Sequence, residues 1–319
     1  MKRLQTTDTV LMVRPARFGF NEETAGNNYF QKKEEGEHVA IKALNEFDNY
    51  VQLLRANGVR VIIIQDTPEP YTPDSIFPNN WFSTHCTGEL VFYPMLAENR
   101  QLERKHQAVN MLSLMPGVKK TINLTDWEKR GKFLEGTGSM ILDRVHRVLF
   151  ACRSPRTDEE VLAKFCQELN YEYILFDSVD SHGRPIYHTN VMMCIASRYV
   201  VICMDSIPDA VDRRVLRACF RSSGREIIEI TQEQVDHFAG NMLAVHNENG
   251  ESILLMSRAA YQSLCSDQLQ KLEPYSKILA PDLTTIEQNG GGSARCMVAE
   301  LFLDVDNEVA EEGLSFIFE

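Results

Sequence analysis

The chain has 319 residues, 44% of them hydrophobic and 24% charged, which excludes disorder for most of its length and leaves ample material for a large core. Its 33 basic residues face 45 acidic ones, a formal net charge of −12 with a pI of about 5.2, and no basic run offers nucleic acid a phosphate-tracking surface. No apolar stretch approaches the roughly 20 residues of a membrane helix.

In chain order, residues 10–14 read as a strand. Val39, Leu44, Phe47, Val51 and Leu54 share one face of a helix that Gly58 would end, and 59–64 follow as a buried, β-branched strand. Pro68, Pro70, Pro73 and Pro78 mark a rigid loop. A strand–turn–strand unit then recurs over 81–95, 139–152, 191–204 and 242–256, with turns at 86–89, 143–146, 197–198 and 247–250. A partial fifth copy covers 297–303, and 10–14 could pair with it. Helices are predicted over 98–112, 158–169, 208–220 and 259–272. The copies start roughly 50–60 residues apart, a period typical of units that stack because they cannot bury their faces alone. Five of them would close an α/β ring without long free edges; a mixed α/β sandwich with accidentally similar hairpins is the alternative.

Polar residues precede each hairpin: Asp74 to Asn80 before the first, Glu135 to Gly138 before the second, His188 to Asn190 before the third, Gly240 and Asn241 before the fourth, and Gly290 to Cys296 before the fifth. In a ring these positions share one mouth. A thiol nucleophile (Cys296), a proton shuttle (His188) and an orienting carboxylate (Glu135) would then meet from distant sequence. Each alone has an ordinary structural role: Cys296 as a small core residue, His188 as a bonded core histidine, Glu135 as a cap. The triple glycine before Cys296 permits close backbone approach to a ligand. His85, Cys86, Cys194 and Cys203 match no zinc spacing, Gly290–Gly292 lacks the G-K-[ST] of a phosphate loop, and Ser257 and Ser293 lack a G-x-S-x-G setting. No metal is expected. The eight cysteines contain no C-x-x-C, and the basic Met1-Lys2-Arg3 start has no apolar segment behind it. A reduced, cytoplasmic protein without a signal peptide is the expectation.

These residues resemble the guanidine-modifying enzymes of the pentein superfamily, which include arginine deiminase, dimethylarginine dimethylaminohydrolase and the amidinotransferases. The likeness covers nearly the whole chain. It rests on Pro73-Asp74-Ser75-Ile76-Phe77, on Glu135-Gly136-Thr137-Gly138, on His188, and on Gly290-Gly291-Gly292-Ser293-Ala294-Arg295-Cys296. It implies a five-bladed, pseudo-symmetric α/β propeller forming a single domain over 1–319, with Cys296, His188 and Glu135 catalytic. Two departures bear on substrate. Asn80 stands where arginine deiminases place an acid that grips the guanidinium, and Asn190 stands where an acid follows the histidine. Gly138 also replaces an aspartate of the family. Carboxylates suit a delocalised cation, whereas amides suit a neutral urea. The nearest resemblance is therefore to citrulline utilisation hydrolases, which implies hydrolysis of the ureido group of citrulline to ornithine, ammonia and carbon dioxide.

In that scheme Cys296 attacks as a thiolate helped by a protonated His188, Glu135 fixes geometry, and Asn80 or Asn190 holds the urea oxygen. Asp74 and Phe77 contact substrate or shape the loop. Arg14, Arg17 or Arg295 would hold the substrate carboxylate, with Arg14 the named candidate. A guanidinium-directed deiminase, dimethylarginine hydrolase or amidinotransferase is the alternative, and a non-catalytic binding protein of the same fold is the alternative from another class. No cofactor is expected, the partner is a small-molecule substrate, and a homo-oligomer is possible by analogy with related enzymes.

Overall fold

Every hairpin is extended to three strands, because the chain leaving it turns through a helix and returns parallel to the second strand. The computed structural model describes residues 4–33 and 38–303. The expected domain 1–319 and the reading of Met1 to Arg3 therefore extend outside the described residues. The strands are β1 (Thr9–Arg14), β2 (Arg60–Gln65), β3 (Phe82–Thr84), β4 (Glu89–Phe92), β5 (Lys120–Asn123), β6 (Met140–Asp143), β7 (Val148–Cys152), β8 (Glu172–Phe176), β9 (Met193–Ile195), β10 (Tyr199–Ile202), β11 (Glu226–Glu229), β12 (Leu243–His246), β13 (Ser252–Leu255), β14 (Lys277–Leu279) and β15 (Ala299–Leu301). They form five sheets of three: β15-β1-β2, β3-β4-β5, β6-β7-β8, β9-β10-β11 and β12-β13-β14. In each, the first pair is antiparallel (Phe82 opposite Phe92, Met140 opposite Ala151) and the second parallel (Val91 opposite Ile122, Phe150 opposite Ile174). The middle strands are close to continuous apolar runs because both their faces are covered.

The first strand of each hairpin lies innermost. β15 packs on β3, β6 on β9, and β9 on β12. Neighbouring sheets are tied to each other: Thr84 Oγ1 donates to Glu300 O at 3.1 Å, and Arg225, just before the outer strand β11, grips Asp143 at the end of β6 at 2.6 and 3.1 Å. The axis holds a cavity of about 30 Å³ lined by Gln5, Arg144, Cys194, Ala244, Arg295 and Glu300. The remaining sheet is completed from both ends of the described chain, with Thr9 opposite Leu301 and Leu11 opposite Ala299. This is the five-bladed α/β propeller.

The outer helices cover the seams between blades. Phe47, Tyr50, Val51 and Leu54 of helix His38–Ala56 share one core with Val10 and Val61 on one side and Leu243, Val245 and Ile253 on the other. Phe165 of helix Glu159–Leu169 sits between Tyr93 and Tyr171, with ring centroids 6.0 and 5.9 Å away. Each such side chain contributes about 1.5–3 kcal/mol by leaving water. Asp158 and Asp209 cap helices Glu159–Leu169 and Ala210–Ser222 by accepting first-turn N–H groups. Two predicted helices are each two. The 98–112 span breaks into Glu98–Gln101 and His106–Ser113, because Arg100 turns inward onto Phe77 O, Asn80 and Glu103 while Lys105 is held by Asp66 and Thr67. The 259–272 span breaks into Arg258–Ser263 and Ser266–Leu272; Gln268 reaches back to accept the Cys265 N–H at 2.9 Å and starts the second piece. Among the described residues no helix is long and apolar enough to cross a membrane.

Candidate active site

The five loops singled out in the sequence all enter the inner strands from the same end: 74–80 before β3, 135–139 before β6, 188–190 before β9, 241 before β12 and 296 before β15. Pro78–Asn80 and Thr189–Val191 are single tight turns, and the turn Gly136–Ser139 packs against both. Two glycines allow this. Gly136 has φ +46°, and a Cβ there would stand 2.4 Å from the Asn79 carbonyl oxygen. A Cβ on Gly138 would stand 2.3 Å from Asn80 Nδ2 and 2.8 Å from the His188 ring. The space that an aspartate would need at position 138 is taken by these two side chains.

His188 Nε2 and Glu135 Oε2 are 2.8 Å apart. The other Glu135 oxygen accepts the Leu96 N–H at 3.0 Å, and Arg156 Nη1 lies 3.3 Å from Oε2. Two residues beyond His188, Asn190 Nδ2 points at Cys296 Sγ at 3.5 Å. Asn241 Nδ2 donates to the same sulfur at 3.2 Å. All these side chains are buried. Burial opposes the charge on Glu135, but Arg156 and the His188 contact overcome it and hold the carboxyl well below its ordinary range. Burial also pulls His188 down to about 4 against the bond from Glu135, with Arg156 and Arg100 adding to the fall. His188 is therefore neutral near pH 7, which corrects the expectation of a protonated imidazole beside the thiol.

Below pH 6.5 the unfolded chain binds a proton that folded His188 refuses, so stability falls as pH drops from about 6.5 to about 4, by on the order of 3 kcal/mol. Urea unfolding at pH 7.5 and 5 should show a smaller loss for His188→Gln than for the natural chain. Equal losses would refute it.

The expected substrate residues divide. Phe77 covers the glycine loop: a Cβ on Gly290 or Gly292 would come within 2.8 Å of its ring. Asn80 is in the site, but its Oδ1 accepts from Arg100 Nη1 at 2.9 Å. Asn190 Oδ1 is buried without a hydrogen-bond partner, as is Asp74 Oδ1. The other Asp74 oxygen accepts from Asn21 Nδ2 at 2.7 Å, and burial pushes this carboxyl up despite Arg100. Arg14 is not brought to the site. It ends β1 at the mouth, but its guanidinium turns outward to Asp48, with both contacts at 2.8 Å. Arg17 lies outside, paired with Glu69 and stacked on Tyr71. Arg295 is buried against Glu300 at 2.9 Å.

The cations that do reach the site are Arg100 and Arg156, which sequence reasoning missed. Arg100 is clasped by Glu103 at 2.7 and 3.1 Å and stands 3.8 Å from Asp74. Arg156 stacks on Tyr187 and bonds to Asn27 Oδ1 and Glu135. Neither stands in a motif; their only signal is a position some twenty residues after a site loop. Asn241 had a visible signal, its place before the fourth hairpin. Segment 21–33 lies across the mouth, with Asn28 and Gln31 donating to Gly290 O and Phe30 against Tyr187. Among the described residues no group of three or more His, Cys, Asp or Glu is gathered to hold a metal.

The sequence profile of the family described as N,N dimethylarginine dimethylhydrolase, eukaryotic, matches residues 14–303. No curated protein sequence matches the chain. Among solved structures it is similar to the N-terminal domain of ArgZ, an arginine dihydrolase from the ornithine-ammonia cycle in cyanobacteria, as a cysteine-to-serine variant bound to substrate (TM-score 0.69, 19% identity, 92% of this chain and 97% of that one). It is similar to unliganded AgrE (TM-score 0.70, 20% identity), covering 95% of this chain but 40% of that one. A third is a histidine-to-glycine variant of dimethylarginine dimethylaminohydrolase as its adduct with S-methyl-L-thiocitrulline (TM-score 0.63, 15% identity, 93% of this chain and 100% of that one). At these identities the likeness is one of fold.

Proposed function

Since the chain belongs to the N,N-dimethylarginine dimethylhydrolase family of the guanidine-modifying superfamily, hydrolases acting on C–N bonds, we propose that it hydrolyses the ureido group of citrulline to ornithine, ammonia and carbon dioxide. We propose further that 1–319 is one propeller domain. The observation that carries the substrate is the pair of amides, Asn80 and Asn190, at positions where a guanidinium would call for carboxylates. The buried acids beside them are already matched, Glu103 to Arg100 and Glu135 to Arg156.

Cys296 is the nucleophile. Glu135 accepts the Nε2 proton of neutral His188, leaving Nδ1 as the base that takes the thiol proton. The sulfur adds to the ureido carbon while charge gathers on the carbonyl oxygen near the Asn190 and Asn241 amides. The imidazolium then protonates the departing ammonia, leaving a thiocarbamate on Cys296. His188 next deprotonates a water that displaces the sulfur, and the released carbamate breaks down to ornithine and carbon dioxide. One water is consumed. Arg156 takes the substrate carboxylate through its Nε/Nη2 edge, where the Asn27 partner is neutral and exchangeable, while its Nη1 stays on Glu135; Arg100 is clasped by Glu103 instead. The free Asp74 oxygen takes the α-ammonium.

A second reading, a guanidinium substrate, is favoured by that same free Asp74 oxygen. Purified protein is incubated separately with citrulline, arginine, dimethylarginine and agmatine, and ornithine, citrulline and ammonia are measured with Cys296→Ala as control. Ornithine and ammonia from citrulline, lost in the variant, are the expected result. Citrulline from arginine or dimethylarginine, with citrulline itself inert, would overturn the ureido assignment.

A further inference from the structure

Asn241 does not come from any motif, yet it makes the shorter of the two amide contacts to Cys296 Sγ, 3.2 Å against 3.5 Å for Asn190. Its orientation is fixed by its neighbours. The Arg295 backbone N–H donates to Asn241 Oδ1 at 3.1 Å, and Nδ2 also lies 3.1 Å from Asn190 O. A backbone N–H can only donate and a carbonyl can only accept, so the amide oxygen must face Arg295 and the NH₂ must face the sulfur. The side chain is 2% exposed, so water does not compete for these bonds.

A thiol sulfur is a weak acceptor, whereas an anionic sulfur takes N–H donors as charge-assisted bonds of roughly double strength. Two converging N–H donors therefore fit the ionised form better than the neutral one. They come from different blades, and neither carries a charge of its own. The imidazolium arises only as the thiol proton moves to His188, so the two amides are the donors already in place at the sulfur. We propose that Asn241 is a catalytic residue of this site, whose side-chain NH₂ stabilises the Cys296 thiolate before attack and again when the sulfur leaves. The proposal rests on Cys296 being the nucleophile.

Asn241→Asp tests it. The substitution keeps the oxygen that accepts from Arg295 and turns an anionic oxygen toward the sulfur. Of the eight cysteines, Cys86, Cys219 and Cys265 are not buried, so iodoacetamide labelling is read at Cys296 by peptide mass spectrometry. The labelling rate at pH 7 should fall about tenfold to a hundredfold, and the deficit should narrow when labelling is repeated at pH 10. kcat should fall by a similar factor, with KM within about threefold. An unchanged pH 7 rate overturns the proposal. So does an equal drop at both pH values, which would mean lost access and a purely structural Asn241. If Asn241→Asp does not fold, Asn241→Ser takes the same readouts, with an expected drop of about threefold to tenfold at pH 7 and overturning by no drop. The underlying assignment is judged separately. Turnover by Cys296→Ala refutes the nucleophile; an inactive Cys296→Ala beside a normal Asn241→Asp refutes only the role of Asn241.

Discussion

Replacing Glu135 by Gln should lower kcat by about 10³- to 10⁴-fold. The size of the effect comes from how the two oxygens are pinned. Glu135 Oε1 accepts the Leu96 N–H at 3.0 Å, and only the glutamine oxygen can keep that bond. The new NH₂ must then occupy the place of Oε2, where it meets His188 Nε2 at 2.8 Å and Arg156 Nη1 at 3.3 Å. His188 can accommodate a donor there only by accepting at Nε2, which moves its proton to Nδ1. The ring then presents a donor where the proposed mechanism needs a base. The donor-to-donor clash with Arg156 adds a stability loss, so kcat is measured at a temperature where circular dichroism shows the variant folded. A folded Glu135→Gln within tenfold of the natural kcat would remove Glu135 from the proposed machinery.

The largest expected loss of stability is at Arg100. Its guanidinium is 3% exposed and satisfies Glu103, Asn80, the Phe77 carbonyl and, at 3.8 Å, Asp74. Arg100→Met leaves two buried carboxyls without their cation, at a cost of about 3–5 kcal/mol. The deficit should depend on pH. Burial already pushes the Glu103 carboxyl up against the pull of Arg100, and removing that cation pushes it further. The folded variant then keeps a proton that the unfolded chain releases above about pH 4.3, so it loses stability as pH rises. Glu103 in the natural chain is itself pushed up to about 8, so the two proteins part above that pH, and urea unfolding should show a larger deficit at pH 9.5 than at pH 7. The double variant Arg100→Met/Glu103→Leu should recover at least half, because it removes the stranded carboxyl as well as its partner. A deficit that ignores pH, with no recovery in the double variant, would mean that Arg100 acts by packing alone.

The repeat was legible because its signal is local. A hairpin and its turn are written in consecutive residues, so the pairs β3–β4, β6–β7, β9–β10 and β12–β13 fall inside the expected segments. The loop positions followed from the repeat: Glu135 bonds His188 and Asn190 reaches Cys296 because equivalent points of a ring share one end. Cations were not legible in this way. Arg14 sits at the right height on β1, yet Asp48 on a neighbouring helix takes its side chain, and nothing around Arg14 in sequence reports that partner. Arg100 was hidden inside a predicted continuous helix; the break that turns it inward comes from contacts with the loop at 77–80, twenty or more positions away. The protonation state of His188 was misread for a similar reason. Full burial and two arginines decide it, and they are tertiary facts.

The pairing of β1 with β15 has a consequence for how activity arises as the chain is made. Most hairpins can form from neighbouring residues soon after leaving the ribosome, but the sheet containing Thr9–Arg14 stays two-stranded until Ala299–Leu301 arrive. That contact has nearly the greatest sequence separation in the molecule, and such contacts carry the slow, loop-closing part of folding. Cys296 lies three residues before the closing strand. An unfinished chain can therefore assemble the Glu135–His188 pair and still lack the proposed nucleophile. Topology thus ties completion of the proposed site to closure of the ring.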